Sequence, residues 1–355
     1  MKILAINPGS TSTKIGFFND ETLIFETVLR HSMEELAPYA SMADQYAFRM
    51  GVVANALQNA NVDLQTLDAV VGRGGLVKPL QGGTYRVNDA MLNDLKLGVQ
   101  GQHASNLGGL IAHALGEKIT KPAFIVDPVV VDELMDIARI SGHPKFARRS
   151  IFHALNQKAI ARRYSRDVGR AYGALNLVVA HMGGGISVGI HACGNVVDVN
   201  NALDGEGPFS PERSGTLPIG DLAVLCFAGK YSHTDIKGMI TGKGGMVAYC
   251  GTNSLLDIEA RMAHEPQVAV LVDAMVYQIA KEIAAVSTAV YGKVDAILLT
   301  GGLARSTYLT SEIQKRVAFI ADVRVYPGED ELAALAQGAL RVLNGDEAAK
   351  EYDTK

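Results

Sequence analysis

The chain has 355 residues, enough for two domains of ordinary size, each with its own core. Hydrophobic residues make up 48% and charged residues 20%, a balance that excludes a disordered chain. A net charge of −4 gives no electrostatic basis for nucleic acid or an anionic membrane as partner.

The three cysteines, Cys193, Cys226 and Cys250, form no C-x-x-C pair, so neither a disulfide framework nor a zinc knuckle is indicated. The N-terminal apolar run is too short for a signal peptide. The longest apolar stretch, Val268 to Tyr291, is interrupted by Asp273, Lys281 and Glu282, as in a buried helix rather than a membrane span. Together these point to a cytoplasmic protein. Arg162, Arg163, Arg166 and Arg170 read as one solvated helix face.

In chain order, Lys2 to Ile6 is an apolar strand that leads into a turn of small residues, Asn7 to Ser12. A second strand, Lys14 to Phe18, turns at Asn19-Asp20 into a third, Thr22 to Phe25. Helix-length segments follow at Glu35 to Ala60 and Ala90 to Ile119, with short apolar runs at Asp68 to Gly72 and Ala123 to Asp127. A further helix-like segment spans His153 to Tyr172.

The design then repeats. Leu177 to Ala180 leads into His181-Met182-Gly183-Gly184-Gly185. Next come a strand from Ile186 to Ile190, a turn at Cys193-Gly194-Asn195 and a strand from Val196 to Val199. Asp295 to Leu299 corresponds to Asp68 to Gly72, and Val323 to Tyr326 to Ala123 to Asp127. A duplicated three-strand meander followed by alternating helices and strands predicts two similar α/β domains with ligands in a cleft between them.

The turns are suited to oxyanions, because Gly and Ser let backbone N–H groups approach a phosphate without an obstructing Cβ. The first carries Ser10, Thr11, Ser12, Thr13 and then Lys14; the second is Gly183-Gly184-Gly185; a third, Thr300-Gly301-Gly302, ends a strand. There is no G-x-x-x-x-G-K-[ST] sequence, and Gly183, Gly185 and Gly189 miss the dinucleotide spacing.

Polar residues near strand ends are mostly cationic or imidazole: Arg73, His103, His153, His181 and Arg213. Carboxylates there are few, namely Asp127 and the Glu329-Asp330-Glu331 run. A sugar kinase needs a carboxylate base beside its acceptor hydroxyl. A carboxylate acceptor, with a pKa of roughly 4–5, is already ionised and needs charge compensation instead. The residue set suits a carboxylate kinase. Taken singly, the glycines are also explained as hairpin turns, each His as a structural histidine, and Asp127 and Asp330 as loop or helix caps.

The segments Asn7 to Lys14, His181 to Gly185 and Leu299 to Gly302 resemble the acetate and butyrate kinases of the actin-like, sugar-kinase superfamily. The segment Asp204 to Gly215 resembles the butyrate kinase form. The resemblance covers essentially the whole chain. It implies two actin-like (ribonuclease H-like) domains, residues 1–165 with a C-terminal helix 332–355, and residues 166–331. It also implies conversion of butyrate and ATP into butyryl phosphate and ADP by in-line transfer, with Mg²⁺ as cofactor. The partners implied are small molecules only, with no nucleic acid and no membrane, in a homo-oligomer.

By the same resemblance, Asn7, Ser10, Ser12 and Lys14 contact phosphate or metal-bound water. His181, Gly183, Gly184 and Gly185 hold the β/γ-phosphates, and Gly301, Gly302 and Leu303 border the adenosine. Arg73 lies near the substrate arginine of the family, His153 stabilises the transferring phosphoryl group, and Arg213 straddles acceptor and γ-phosphate. Asp127 and one of Asp330 and Glu331 are linked to the metal. Two other readings stay open: a kinase for acetate, propionate or a branched acid such as isobutyrate, and a non-catalytic ATP-gated binding protein.

Overall fold

Lys2 to Pro8 (β1) is buried from Ile3 to Pro8, as expected of a central strand with both faces covered. It pairs antiparallel with β2 (Ser12–Asn19), which pairs antiparallel with β3 (Thr22–Arg30). On its other side β1 runs parallel to β4 (Ala69–Arg73). A short antiparallel strand β5 (Thr84–Arg86) borders β6 (Ala123–Val126), which lies parallel to β4. The sheet order is β3-β2-β1-β4-β6-β5.

The computed structural model describes residues 1–353, which divide into two compact units: Met1–Val131 with the chain from Asp330 onward, and Asp132–Glu329. The second unit carries its own sheet, β9-β8-β7-β10-β11. Its strands are β7 (Asn176–Met182), β8 (Ile186–Ala192), β9 (Asn195–Val199), β10 (Ala296–Gly301) and β11 (Val323–Pro327). Their pairing repeats that of β1, β2, β3, β4 and β6 strand for strand, so the duplication seen in the sequence is real.

One detail is repeated to the atom. Asp68, before β4, accepts the Lys2 N–H on Oδ2 and donates its own N–H to the Lys2 carbonyl, both at 2.8 Å. Asp295, before β10, makes the same two bonds to Asn176, also at 2.8 Å. Each aspartate thereby pins the start of its unit's central strand pair and fixes its register.

The core of the second unit shows why the middle of β7 is apolar. Val178, Ala180 and Met182 face a cluster built with Val272, Ile279 and Ile283 of the helix Pro266–Ser287. Leu177 and Val179 face the other way, onto Ala161 of the helix Ala154–Asp167. Alternate residues are buried on opposite faces, so the strand is apolar from Leu177 to Ala180 and admits a polar side chain only at its ends, at Asn176 and His181.

Several predicted helices are shorter in the structure, each for a local reason. The segment 90–119 is two helices, Asp89–Leu97 and Asn106–Ile119, because Gly98 takes a left-handed conformation (φ 65°) that caps the first. Within 35–60 the long helix is only Tyr46–Asn59, with Pro38 upstream. The third begins at Pro266, whose fixed φ suits a first helical turn, and ends at Ser287. The expected boundary near residue 165 also differs from the observed division, since residues 132–165 belong to the second unit. The final helix, Glu331–Leu343, lies in the first unit.

Candidate active site

In the first unit the registers Ile6↔Gly72 and Arg73↔Val126 bring Asn7, Arg73 and Asp127 to the carboxyl ends of three adjacent parallel strands. That edge is where open α/β sheets bind ligands. Gly72 makes the assembly possible. A Cβ there would collide with the Gly108 carbonyl, so the helix Asn106–Ile119 can cross β4 only against a glycine.

Arg73 and Glu331 form a two-point ion pair: Nη2 to Oε1 at 3.0 Å and Nη1 to Oε2 at 3.1 Å. Asn7 closes the triangle, donating from Nδ2 to Glu331 Oε2 and accepting from Arg73 Nη1 at 3.2 Å. Asp127 is buried, with φ at 37°, a left-handed conformation that aspartate tolerates better than most residues. Its Oδ1 accepts the Gly83 N–H at 2.7 Å, and its own N–H returns to the Gly83 carbonyl. Asp330 caps the helix Glu331–Leu343 by accepting the Ala333 N–H at 2.9 Å. His103 bonds Ser105 Oγ through Nδ1, and burial together with Arg73 lowers its pKa.

The loop carrying Ser10 and Ser12 has an anchor that the sequence did not reveal. Arg49, fully buried on the helix Tyr46–Asn59, donates to the carbonyls of Gly9 (2.7 Å), Ser10 (2.8 Å) and Ser12 (3.1 Å) and to Thr13 Oγ1 (3.2 Å). Gln45 takes the remaining N–H groups. Among the described residues no carboxylate pairs with Arg49, so a full positive charge sits beneath the loop, with the loop carbonyls turned toward it. Ser10 and Lys14 are exposed, and Ser12 is half-buried.

In the second unit His181 is buried at the end of β7, with Nδ1 on Asn156 Oδ1 at 2.8 Å and Nε2 3.5 Å from Glu329 Oε1. His153, the residue before the helix Ala154–Asp167, stacks on it with ring centroids 3.8 Å apart and planes 13° apart. Two imidazoles this close oppose simultaneous protonation. Arg213 is mostly buried; its Nη1 donates to the Ala202 carbonyl, and its buried Nε has no hydrogen-bond partner among the described residues. Burial lowers its pKa, against the pull of Glu212 and Asp204, and a guanidinium so placed still carries its charge.

The guanidinium passes directly over Gly185, where an added Cβ would overlap it. Gly184 is fixed by its carbonyl, which accepts from Ser210 Oγ at 2.6 Å and the Glu212 N–H at 3.2 Å. Gly301, with φ at 89°, lies against the Met182 backbone too closely for any side chain. Gly302 and Leu303 then open a short 3₁₀ turn. His153, His181, the triglycine turn, Arg213 and Gly301 to Leu303 are thus all carried by the second unit, whereas Asn7, Ser10, Ser12, Lys14, Arg73, Asp127, Asp330 and Glu331 are carried by the first.

The acidic residues fit Mg²⁺ only in a particular way. Among the described residues no group of three or more His, Cys, Asp or Glu is placed to hold a metal. Glu331 has both oxygens occupied by Arg73 and Asn7. This donor set is not a carboxylate cage. It suits an ion that keeps its waters and relies on substrate phosphates, as Mg²⁺ prefers.

Sequence reasoning missed Arg49, Ser187, Asn156 and Gln157. The last two carried a signal: they follow His153 by three and four residues, on the face of the helix that meets the sheet.

Comparison with known proteins bears on the family and the fold. The acetokinase family profile matches residues 132–320. Butyrate kinase 2 of Clostridium acetobutylicum is 56% identical over 352 residues, covering 99% of this chain and 99% of that protein. The crystal structure of Porphyromonas gingivalis acetate kinase aligns over 96% of this chain and 99% of its own, with a TM-score of 0.77 and 19% identity. A propionate kinase from Francisella tularensis aligns over 95% and 98%, with a TM-score of 0.73 and 17% identity. The fold is therefore that of the acetate and propionate kinases, a duplicated actin-like α/β architecture. The chain belongs to the acetokinase family.

Proposed function

We propose that the protein is a butyrate kinase: it transfers the γ-phosphoryl group of ATP to the carboxylate of butyrate, giving butyryl phosphate and ADP. A carboxylate oxygen forms a bond to the γ-phosphorus as the bond to the β,γ-bridging oxygen breaks. No proton has to be removed from the acceptor. The observation that carries this reading is the set of hydrogen-bond donors in the second unit's site, one of them the charged Arg213 guanidinium. His153 stacks on His181 and Arg213 lies over Gly185 there, and of the nearby carboxylates Glu329 lies against His181, Glu212 is bound by Asn253 and Asp204 lies against Lys237. That arrangement has charge compensation without a general base. Near-full-length identity of 56% to a butyrate kinase supports butyrate as the acid.

In this reading Gly183, Gly184 and Gly185 with His181 hold the β/γ-phosphates, and Gly301, Gly302 and Leu303 border the adenosine. His153 and Arg213 stabilise charge on the transferring phosphoryl group, and Asn7, Ser10, Ser12 and Lys14 face phosphate or metal-bound water. Arg73, bound to Glu331, orients the acceptor side. Mg²⁺, held through water by Asp127 and by Asp330 or Glu331, would supply neutralisation of phosphate charge.

The enzyme works in the cytoplasm, where ATP is available; no described helix is long and apolar enough to cross a membrane. It assembles with further copies of itself: the apolar helix Ile219–Phe227 buries none of its residues, and Ile219, Val224 and Phe227 are exposed. The test of function is acyl-phosphate trapping with hydroxylamine, using ATP, Mg²⁺ and a series of C2 to C6 acids. Butyryl hydroxamate is expected. ATP binding without product from any acid would overturn the kinase reading in favour of an ATP-gated binding protein.

A further inference from the structure

Behind His153 lies a chain of buried hydrogen bonds whose direction can be worked out proton by proton. Gln157, on the helix that His153 begins, places its side-chain amide against β8. One end of that amide is 3.0 Å from the Ser187 carbonyl and 2.8 Å from Ser187 Oγ. A carbonyl can only accept, so this end is the nitrogen, and its two hydrogens go to the two Ser187 oxygens. The opposite end, Oε1, therefore faces His191 Nε2 at 3.0 Å, and that nitrogen carries the proton. His191 is fully buried, and desolvation together with Lys158 and Arg162 keeps its pKa well below 6.5. The ring is neutral, so its bare Nδ1 accepts the Tyr172 hydroxyl proton at 2.7 Å.

The same inventory fixes the other end. Ser187 Oγ has two lone pairs and one proton. One lone pair receives Gln157, and the second receives the His153 backbone N–H at 3.4 Å. Only the hydroxyl proton is left for His153 Nδ1, 2.8 Å away. Nδ1 must accept, so the proton of the neutral ring sits on Nε2.

We propose that Gln157 and Ser187 are positioning residues that lock His153 as the neutral Nε2–H tautomer, making it a fixed hydrogen-bond donor to the transferring phosphoryl group. The proposal rests on the reading of His153 given above. Protonating Nδ1 would ask Ser187 Oγ to accept a third hydrogen bond, so the lock also opposes the imidazolium form. Three other features bear on that charge. The His181 ring stacks on His153, Glu329 lies against His181, and Lys158 follows five residues later on the helix that His153 precedes, paired with Glu133. A neutral donor needs no protonation step before transfer and cannot act as a base through the locked nitrogen.

The experiment is ring-nitrogen NMR on the full-length protein labelled with ¹⁵N-histidine, His153 being assigned by the signal lost in His153→Gln. Wild type is expected to show one bare Nδ1 and one protonated Nε2 at neutral pH. Ser187→Ala should mix the tautomers and lower kcat by at least about tenfold, with the KM for ATP little changed. Gln157→Glu, which can no longer donate to Ser187, should move the proton to Nδ1 and lower kcat similarly. Ser187→Thr keeps the hydroxyl and should keep the Nε2–H signal. A wild-type ring protonated on Nδ1, or a Ser187→Ala variant with the wild-type signal and normal kcat, overturns the proposal. Spectra as expected with full activity in His153→Gln would leave the lock standing and overturn the role assigned to His153.

Discussion

Both carboxylate oxygens of Glu331 are bound by the guanidinium of Arg73, at 3.0 and 3.1 Å, so the two residues placed on opposite duties from sequence are partners. Each side chain keeps under a third of its surface exposed. The pair is open enough for solvent screening yet has the two-point geometry that strengthens such contacts. A double-mutant cycle with Arg73→Gln and Glu331→Gln, read by urea unfolding, should give a coupling of about 1 kcal/mol. Additive effects of the two changes would show that the pair does not act as a unit. In kinetics, Arg73→Gln should also change the Mg²⁺ concentration needed for half-maximal rate, because it releases Glu331.

Arg213 and Gly185 make a second testable pair. Arginine's planar fork holds two oxygens at once, which lysine cannot do, so Arg213→Lys should lose much of what Arg213→Ala loses, on the order of 10² in kcat. The structure adds Gly185→Ala, whose Cβ would overlap the guanidinium and displace it without changing its charge. It should lower kcat in the same direction while ATP binding is largely kept. Near-normal kcat in Arg213→Ala would make Arg213 structural.

Stability should fall on mild acidification. His31, His103 and His191 all have pKa values lowered by burial, with Arg49, Arg73 and Lys158 respectively adding to the effect. Above pH 6.5 neither the folded nor the unfolded chain protonates them. Below it the unfolded chain takes up protons that the folded chain refuses, so unfolding is favoured as pH drops. Each fully refused proton contributes up to about 1.4 kcal/mol per pH unit. Unfolding at pH 7.5, 6.5 and 5.5 should show this loss, and His191→Gln should flatten it. Equal stability at 7.5 and 5.5 would rule the mechanism out.

How much of this was legible follows from what each residue depends on. The duplicated meander was readable because the period-2 strands and their turns are local, down to Asp68 and Asp295 as matching positions. The glycine turns were readable for the same reason. Arg49 was not, since in the helix Tyr46–Asn59 it looks like a solvated cation and is buried only because the carbonyls of a loop some 40 residues earlier turn toward it. Glu331 was legible as an acidic residue at a helix start, but its neutralisation by Arg73 depends on a contact 258 residues apart.

Arg49 supplies a prediction of its own. Its guanidinium satisfies three loop carbonyls, Thr13 Oγ1 and Gln45 at once. Lysine's three donors cannot cover that set, and each carbonyl left unpaired costs about 1–3 kcal/mol. Arg49→Lys should therefore destabilise by at least about 2 kcal/mol. It should also raise the KM for MgATP, because the loop carrying Ser10 and Ser12 loses its anchor. Unchanged stability and KM would return Arg49 to a packing role.

Chain-length preference is the last test. Two extra methylenes on butyrate, at about 0.8 kcal/mol each, favour it over acetate by roughly tenfold or more in kcat/KM if they are buried. The segment Pro208-Phe209-Ser210-Pro211-Glu212-Arg213 carries Arg213, and Phe209 packs inward within it. It is buried in the second unit's core, its N–H donates to Gln278 Oε1 at 3.1 Å, and its ring lies 6.5 Å from that of Tyr249. Its work is to anchor the segment so that Arg213 reaches across Gly185. Phe209→Leu should accordingly lower stability and kcat for every acid alike, leaving the ratio of butyrate to acetate intact. The measurement is kcat/KM over C2 to C6 acids for wild type and Phe209→Leu, with melting temperatures alongside. Acetate used as well as butyrate by the wild type would sink the butyrate assignment and leave a carboxylate kinase. A selective change in the ratio on Phe209→Leu would put the ring in the acid site after all.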